Sequence, residues 1–151
     1  MNERYLFRGK RTEPGEWNKK WVQGHLIIFN KGRHMIARRL NELSNEVSYD
    51  EVDPDTVGQC PALRDKNGVL AWEGDIIKTH YANAIKSDHT EVIVFKNGRF
   101  CGECKIGETG KSWAVLADGV SHVVHDKSVY MESFEVIGNI WDNPELLKEA
   151  K

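Results

Sequence analysis

Two cysteines and two histidines are spaced in a way that could hold a zinc ion. Two residues separate Cys101 from Cys104 and His122 from His125, and seventeen residues lie between the two pairs. Thiolates and imidazoles are ligands that tetrahedral Zn²⁺ prefers. The gap is longer than the roughly twelve residues of a usual zinc finger, and histidines three apart on a strand point to opposite faces. We therefore predict no metal site, and these four residues stay weak candidates.

A second segment imitates a phosphate-binding loop. The residues GETGKS at 107–112 match the end of that motif, but position 105 is lysine where the motif requires glycine. The residues that follow, WAVL at 113–116, predict a strand rather than the helix whose N-terminus would face a phosphate. No signature links the cysteines to histidines, and no two carboxylates stand out for acid–base work. We predict no catalytic residue, no cofactor and no enzymatic activity.

Basic and aromatic residues alternate near the N-terminus. Aromatic rings can stack on bases while neighbouring cations contact phosphates, as in small barrels that bind nucleic acid. Core packing is the ordinary role of tryptophan, but two of the five tryptophans here flank a pair of lysines. The candidate nucleic-acid-binding residues are Arg8, Lys10, Arg11, Trp17, Lys19, Lys20 and Trp21.

The net charge of −2 conceals two segments of opposite sign. Residues 1–39 contain ten lysines and arginines and three acidic residues, a balance of +7, whereas residues 40–56 contain six acidic residues and no basic one. The basic segment is interpreted either as an electrostatic footprint for nucleic acid or as a segment that its acidic neighbour neutralises within the fold. The proximity of the two segments favours the second interpretation.

The pattern of short β-prone runs and turns predicts a mainly β protein. Strands are expected over residues 5–10, 21–29, 56–60, 76–79, 91–100, 112–116 and 134–140. Asn97 and Gly98 predict a tight hairpin within 91–100, because Asn-Gly supplies the positive φ values that such turns require. Residues 34–38 fit either a strand or the start of a helix, and a strand is favoured. Asn143 and Pro144 predict a capped, short C-terminal helix. This is the pattern of a small barrel or sandwich.

Several of these segments resemble the YopX family of small proteins encoded by phages and prophages. The motifs are LRDKNG at 63–68, WEGDII at 72–77 and FEVIGNIWDNPELL at 134–147, with supporting matches at 5–8 and 56–59. The resemblance implies an SH3/Sm-like pseudo-barrel with additional hairpins and a short C-terminal helix. It implies no chemistry, and the bends at Glu73, Gly74 and Asp75 are interpreted as structural.

These observations lead to one expectation about organisation and two about function. We expect a single YopX-like domain over 1–151, in which 1–50 is a subdomain or an extension packed on a 56–147 barrel. The first hypothesis is a non-enzymatic binding or assembly module with an unknown protein partner or a second copy of itself. The alternative is a nucleic-acid-binding barrel. No membrane segment is expected, and the cytoplasm of the bacterial host is the expected location.

Overall fold

The computed structural model describes residues 2–82, 88–106, 110–115 and 130–148. Its chain divides into two compact units, residues 1–60 and residues 61–151. Each unit contains one five-stranded antiparallel sheet. The prediction of a mainly β protein is therefore confirmed, whereas the SH3-like detail stays a prediction.

The first unit is built on five strands in the spatial order β4-β3-β2-β1-β5. The strands are β1 (Phe7–Lys10), β2 (Trp21–Phe29), β3 (Arg33–Arg39), β4 (Val47–Val52) and β5 (Gly58–Gln59). One isolated bridge, from Arg11 to Val52, joins the chain after β1 to the edge strand β4. No ladder of strands closes either sheet into a barrel in the part of the chain that the structure describes.

One face of the first sheet forms the core of this unit. Val22, Ile36 and Val52 are buried there, and Phe7 and Leu26 pack against them. Side chains alternate between the two faces of a strand. Their sequence neighbours therefore lie on the opposite face, which we call the outer face.

The second unit has the strand order β10-β6-β7-β8-β9. The strands are β6 (Asp75–Ala82), β7 (Asp88–Lys96), β8 (Arg99–Ile106), β9 (Gly110–Val115) and β10 (Tyr130–Asn139). Asn97 and Gly98 have positive φ values of 53° and 78° and join β7 to β8, as the hairpin prediction requires. Ala71, Ile77 and Ile93 form the buried core of this sheet.

Two sequence interpretations need correction. The acidic segment 40–56 contains β4, which the run of charges concealed, because Asp50 and Glu51 find arginine partners on neighbouring segments. The expected C-terminal helix is a single 3-10 turn, Pro144–Leu147, that Asn143 does not cap. The Asn143 side-chain oxygen accepts from the Asn139 backbone N–H instead, at 3.3 Å.

A buried carboxylate fixes the 65–69 turn of the second unit. Asp65 is buried, and its carboxylate accepts hydrogen bonds from the backbone N–H groups of Asn67, Val69 and Val136. Burial would raise the pKa of Asp65, but these hydrogen bonds outweigh burial and lower it below the ordinary value. The carboxylate therefore ties the 65–69 turn to β10.

Gly74 is required by both its backbone conformation and its neighbour. Its φ is +85°, and an added Cβ would collide with ring atoms of Trp141. We expect Gly74→Ala to lower the free energy of unfolding by about 3 kcal/mol, because left-handed strain and overpacking add. Gly68→Ala is the matched control, since its φ is +82° but the space around it is open.

Gly68→Ala should lower the free energy of unfolding by about 1 kcal/mol, because only the left-handed strain is added. Urea denaturation of both variants measures the difference. Equal losses would show that the contact with Trp141 is not what requires glycine at position 74.

Candidate nucleic-acid interface

Three of the predicted basic and aromatic residues form one group on the outer face. Lys10 of β1 pairs directly with Trp21 of β2, so both side chains project from the same side of the sheet. The Arg8 guanidinium carbon lies 4.5 Å from the centroid of the Trp21 ring, and the Lys10 Nζ lies 5.3 Å from it. Both distances are within the range of cation–π attraction. The ring therefore holds two cations at defined positions.

A second group surrounds Trp17, in the loop between β1 and β2. The Lys20 Nζ lies 4.7 Å and the Arg11 guanidinium carbon 5.5 Å from the Trp17 ring centroid. Trp17 is 57% exposed. Backbone hydrogen bonds from Arg11 N–H to Lys20 O and from Lys19 N–H to Arg11 O continue the hairpin and fix the base of this loop. The two groups thus lie at the same end of the β1–β2 hairpin.

Arg11 and Lys19 differ from the other predicted residues. Arg11 is only 9% exposed, and its Nε donates to Asp50 Oδ1 at 2.7 Å. The Arg11 guanidinium is therefore buried, and it contacts both Asp50 and the Trp17 ring. Lys19 is exposed, with a positive φ of 58°. Its side chain contacts no partner in the described ranges.

Asp50 is the buried carboxylate that binds two arginines. Besides Arg11, Arg38 of β3 donates its Nε to Asp50 Oδ2 at 3.1 Å. Burial would raise the pKa of Asp50, but the hydrogen bonds from both guanidinium groups outweigh burial and lower the pKa below its ordinary value. Asp50 is thus held as a charged carboxylate inside the first unit.

The structure supports in part the interpretation that the acidic segment neutralises the basic one, and the nucleic-acid footprint stays a prediction. Arg11, Arg38 and Arg33 are neutralised by the acidic segment, the last through Glu51 at 3.0 Å. Lys20 and Arg39 have no ion-pair partner among the residues described. The positive charge that is left lies at the end of the hairpin and on the outer face.

Sequence reasoning missed four polar or aromatic residues on the outer face. They follow from the register: Gln23 pairs with Arg8, His25 with Ala37, Ala37 with Tyr49, and Arg39 with Val47. None of these side chains forms a hydrogen bond, ion pair or ring contact within the described part of the chain. The alternation of polar and core residues along each strand was the sequence pattern that could have identified them. The missed residues are Gln23, His25, Arg39 and Tyr49.

The described residues do not support the candidate zinc ligands or the segment that imitates a phosphate-binding loop. Cys101 and Cys104 lie on β8, whereas His122 and His125 lie outside the described residues. Burial raises the pKa of the Cys101 thiol, although nearby Arg99 and Lys96 favour the thiolate. Across the described ranges no three His, Cys, Asp or Glu side chains are grouped to hold a metal ion. Residues 110–112 begin strand β9, and 107–109 lie outside the described residues.

The second unit contains an open pocket of about 270 Å³ with a charged lining. Four of its five titratable side chains form pairs, the fifth being Lys78. Lys66 contacts Glu135 at 2.6 Å, and His80 Nδ1 lies 2.7 Å from Asp88 Oδ1. The hydrogen bond with Glu135 raises the pKa of Lys66, and the hydrogen bond with His80 lowers the pKa of Asp88. This pairing leaves less charge for a ligand than the outer face of the first unit offers.

Comparison with known proteins identifies the class of this chain. A family model described as YopX protein matches residues 6–148. The chain belongs to the YopX family. No curated protein matches it in sequence. Among the described residues, no helix is long and apolar enough to cross a membrane.

Replacing the buried carboxylate should test what holds the first unit together. We expect Asp50→Asn to lower the free energy of unfolding at pH 7 by about 3 kcal/mol, because two arginines lose their anionic partner. Because the native pKa of Asp50 is lowered, its stabilisation is complete above the unfolded pKa of about 3.9 and is lost as pH falls through the native pKa. The difference between variant and natural protein should therefore persist from pH 7 to 5 and shrink below about pH 4.

Glu51→Gln is the matched control for Asp50→Asn, since it removes the neighbouring carboxylate from an exposed ion pair with Arg33. Glu51→Gln should lower the free energy of unfolding by less than about 1 kcal/mol. Urea denaturation followed by tryptophan fluorescence at several pH values compares the two. Equal losses, or a difference at Asp50 that grows in acid, would contradict this account.

Proposed function

We propose that the protein is a non-enzymatic binding module whose ligand is single-stranded nucleic acid. One observation carries the proposal: two aromatic rings, the exposed Trp17 and the half-buried Trp21, are held against cations at one end of the β1–β2 hairpin. A cation positioned by a ring loses less side-chain entropy when it binds a phosphate. The proposal retains the expectations of a phage origin and of action in the host cytoplasm.

The choice of a single strand follows from the kind of surface. Reading a duplex in the major groove requires an inserted α-helix or a two-stranded β-ribbon. No α-helix is present in the described ranges, and β1 and β2 belong to a five-stranded sheet rather than to a separate ribbon. Exposed rings instead favour unpaired bases, because every base has a face on which an aromatic side chain can stack. Trp17 is 57% and Tyr49 53% exposed, so both rings are accessible for stacking.

A protein partner, or a second copy of the chain, is the second candidate. It is favoured by large apolar side chains that are exposed on the first unit. These include Ile28 at 61%, Phe29 at 49%, Leu40 at 52% and Leu43 at 101% exposure. Sedimentation measurements with and without oligonucleotide separate this candidate from nucleic-acid binding.

Salt-dependent binding tests the first candidate. Fluorescence anisotropy with labelled single-stranded DNA and RNA should show binding at about 50 mM salt. The logarithm of the affinity should fall linearly with the logarithm of salt concentration, with a slope of about −0.7 for each phosphate contact. Absence of binding to every single-stranded probe at about 50 mM salt would overturn the proposal.

A charge-matched pair of variants tests the location of the contact. Lys20→Gln should weaken binding roughly fivefold at about 50 mM salt and reduce the magnitude of the salt slope by about 0.7, because one phosphate contact is lost. Lys31→Gln removes the same charge from the opposite end of β2, in the 3-10 turn Asn30–Gly32. It should leave the salt slope unchanged. Equal effects would indicate that only the net charge matters.

A further inference from the structure

The edge strand β4 has a neighbouring strand along only part of its outward edge. The Thr12 N–H donates to Glu51 O at 3.0 Å and pairs the chain after β1 with the end of β4. Two residues further along, at the position opposite Tyr49, the chain has Pro14, which lacks the N–H needed to continue this pairing. The outward edge of β4 is therefore open from Val47 to Tyr49.

The register with β3 decides which backbone groups face this open edge. Hydrogen-bonded and non-hydrogen-bonded pairs alternate along antiparallel strands. The Leu40 N–H donates to Glu46 O at 3.1 Å, so the pair that contains Ser48, two residues along, is also hydrogen-bonded. Val47 and Tyr49 alternate with these residues, and their N–H and C=O groups point away from β3. These four groups have no hydrogen-bond partner within the described ranges.

A second copy of the same edge can satisfy all four groups. When two copies of β4 run antiparallel with Ser48 opposite Ser48, Val47 of each copy faces Tyr49 of the other. Both of these pairs are hydrogen-bonded, so four N–H···O=C bonds join the copies. Placing Tyr49 opposite itself instead would bring Val47 of the second copy to Glu51, where Thr12 already pairs.

The side chains that this register brings together suit each other. Val47 and Tyr49 both project from the outer face, and they are 44% and 53% exposed. A β-branched residue opposite an aromatic one stabilises an antiparallel pair of strands. The pairing therefore covers apolar surface on both copies.

The charges beside the open edge are complementary as well. The same register places Glu46 of one copy opposite Asp50 of the other. Asp50 is bound by Arg11 and Arg38, and two guanidinium groups with one carboxylate leave this cluster a net charge of +1. The Arg38 side chain is 38% exposed, whereas Glu46 has no ion-pair partner in the part of the chain that the structure describes. Each copy thus offers a carboxylate to a positive cluster of the other.

We propose that the protein forms a two-fold symmetric dimer in which β4 of one copy pairs with β4 of a second copy. The symmetry axis passes beside Ser48, perpendicular to the sheet, as the self-complementary contact of a two-fold dimer requires. The outer faces of the two copies therefore meet on one side of a joined sheet. This inference does not rest on the proposed function, because it follows from the backbone and the charges along β4.

Sedimentation equilibrium of the full-length protein tests the dimer. The molar mass should rise from that of one chain towards twice that value as the concentration increases to about 1 mM, which reveals even a weak dimer. Val47→Pro removes an outward N–H at the first residue of β4, where proline is tolerated. It should weaken dimerisation roughly thirtyfold, because two of the four hydrogen bonds are lost.

Val47→Thr is the matched control for Val47→Pro. It keeps the backbone N–H and the β-branched shape, so it should dimerise nearly as well as the natural protein. Thermal unfolding of each variant separates a loss of pairing from a loss of fold.

Disulfide formation tests the register of the two strands. Ser48 opposite itself is a non-hydrogen-bonded pair with a Cα–Cα distance of about 4.5 Å, which a disulfide can span. Ser48→Cys should form a covalent dimer under mild oxidation, visible on a non-reducing gel. Ser44→Cys, between β3 and β4, should stay monomeric, as should the natural protein, which controls for the native cysteines.

The outcomes separate this inference from the proposed function. A monomer at every concentration, a dimer that Val47→Pro leaves unchanged, or equal cross-linking of the two cysteine variants would overturn the β4 dimer. Oligonucleotide anisotropy on the same samples tests the proposed function alone. A dimer that binds no probe contradicts only the proposed function, and a monomer that binds one contradicts only the dimer.

Discussion

The first unit depends on a single buried carboxylate, Asp50, held between two arginines. Arg11 follows β1 and Arg38 belongs to β3, so the three residues join segments that are distant in sequence. Desolvation makes such a cluster costly, but removing one member leaves buried charges unpaired. The cluster also fixes the loop that bears Trp17, because the same Arg11 guanidinium lies 5.5 Å from that ring. It thus links the interior of the unit to its exposed basic and aromatic surface.

Local chemistry made much of the fold predictable. The Asn97-Gly98 hairpin and the 65–68 turn could be predicted because positive φ values and side-chain-to-backbone hydrogen bonds depend on adjacent residues. Strand β4 could not, because the burial of Asp50 depends on an arginine 39 residues earlier. Likewise, Asn143 fits a cap by composition, but its oxygen binds the Asn139 N–H in the folded chain.

The candidate surface was predictable only where its residues are close in sequence. Trp17, Lys20 and Trp21 stand together in the chain, and composition alone identified them. His25, Arg39 and Tyr49 are scattered over three strands, and only the register of those strands brings them to one face. The pairing of Arg33 and Arg38 with acidic residues was equally invisible, although it decides which positive charges remain for a ligand.

The central claim is that a nucleic-acid strand lies on the outer face of the first unit. Backbone amide chemical-shift mapping of ¹⁵N-labelled full-length protein, titrated with a single-stranded oligonucleotide, tests it most directly. The account predicts that the largest shifts occur on β1, β2 and β3 near Lys10, Trp21 and Ala37, and in the loop near Trp17. Shifts confined to residues 61–151, or no shifts at a saturating concentration, would contradict it.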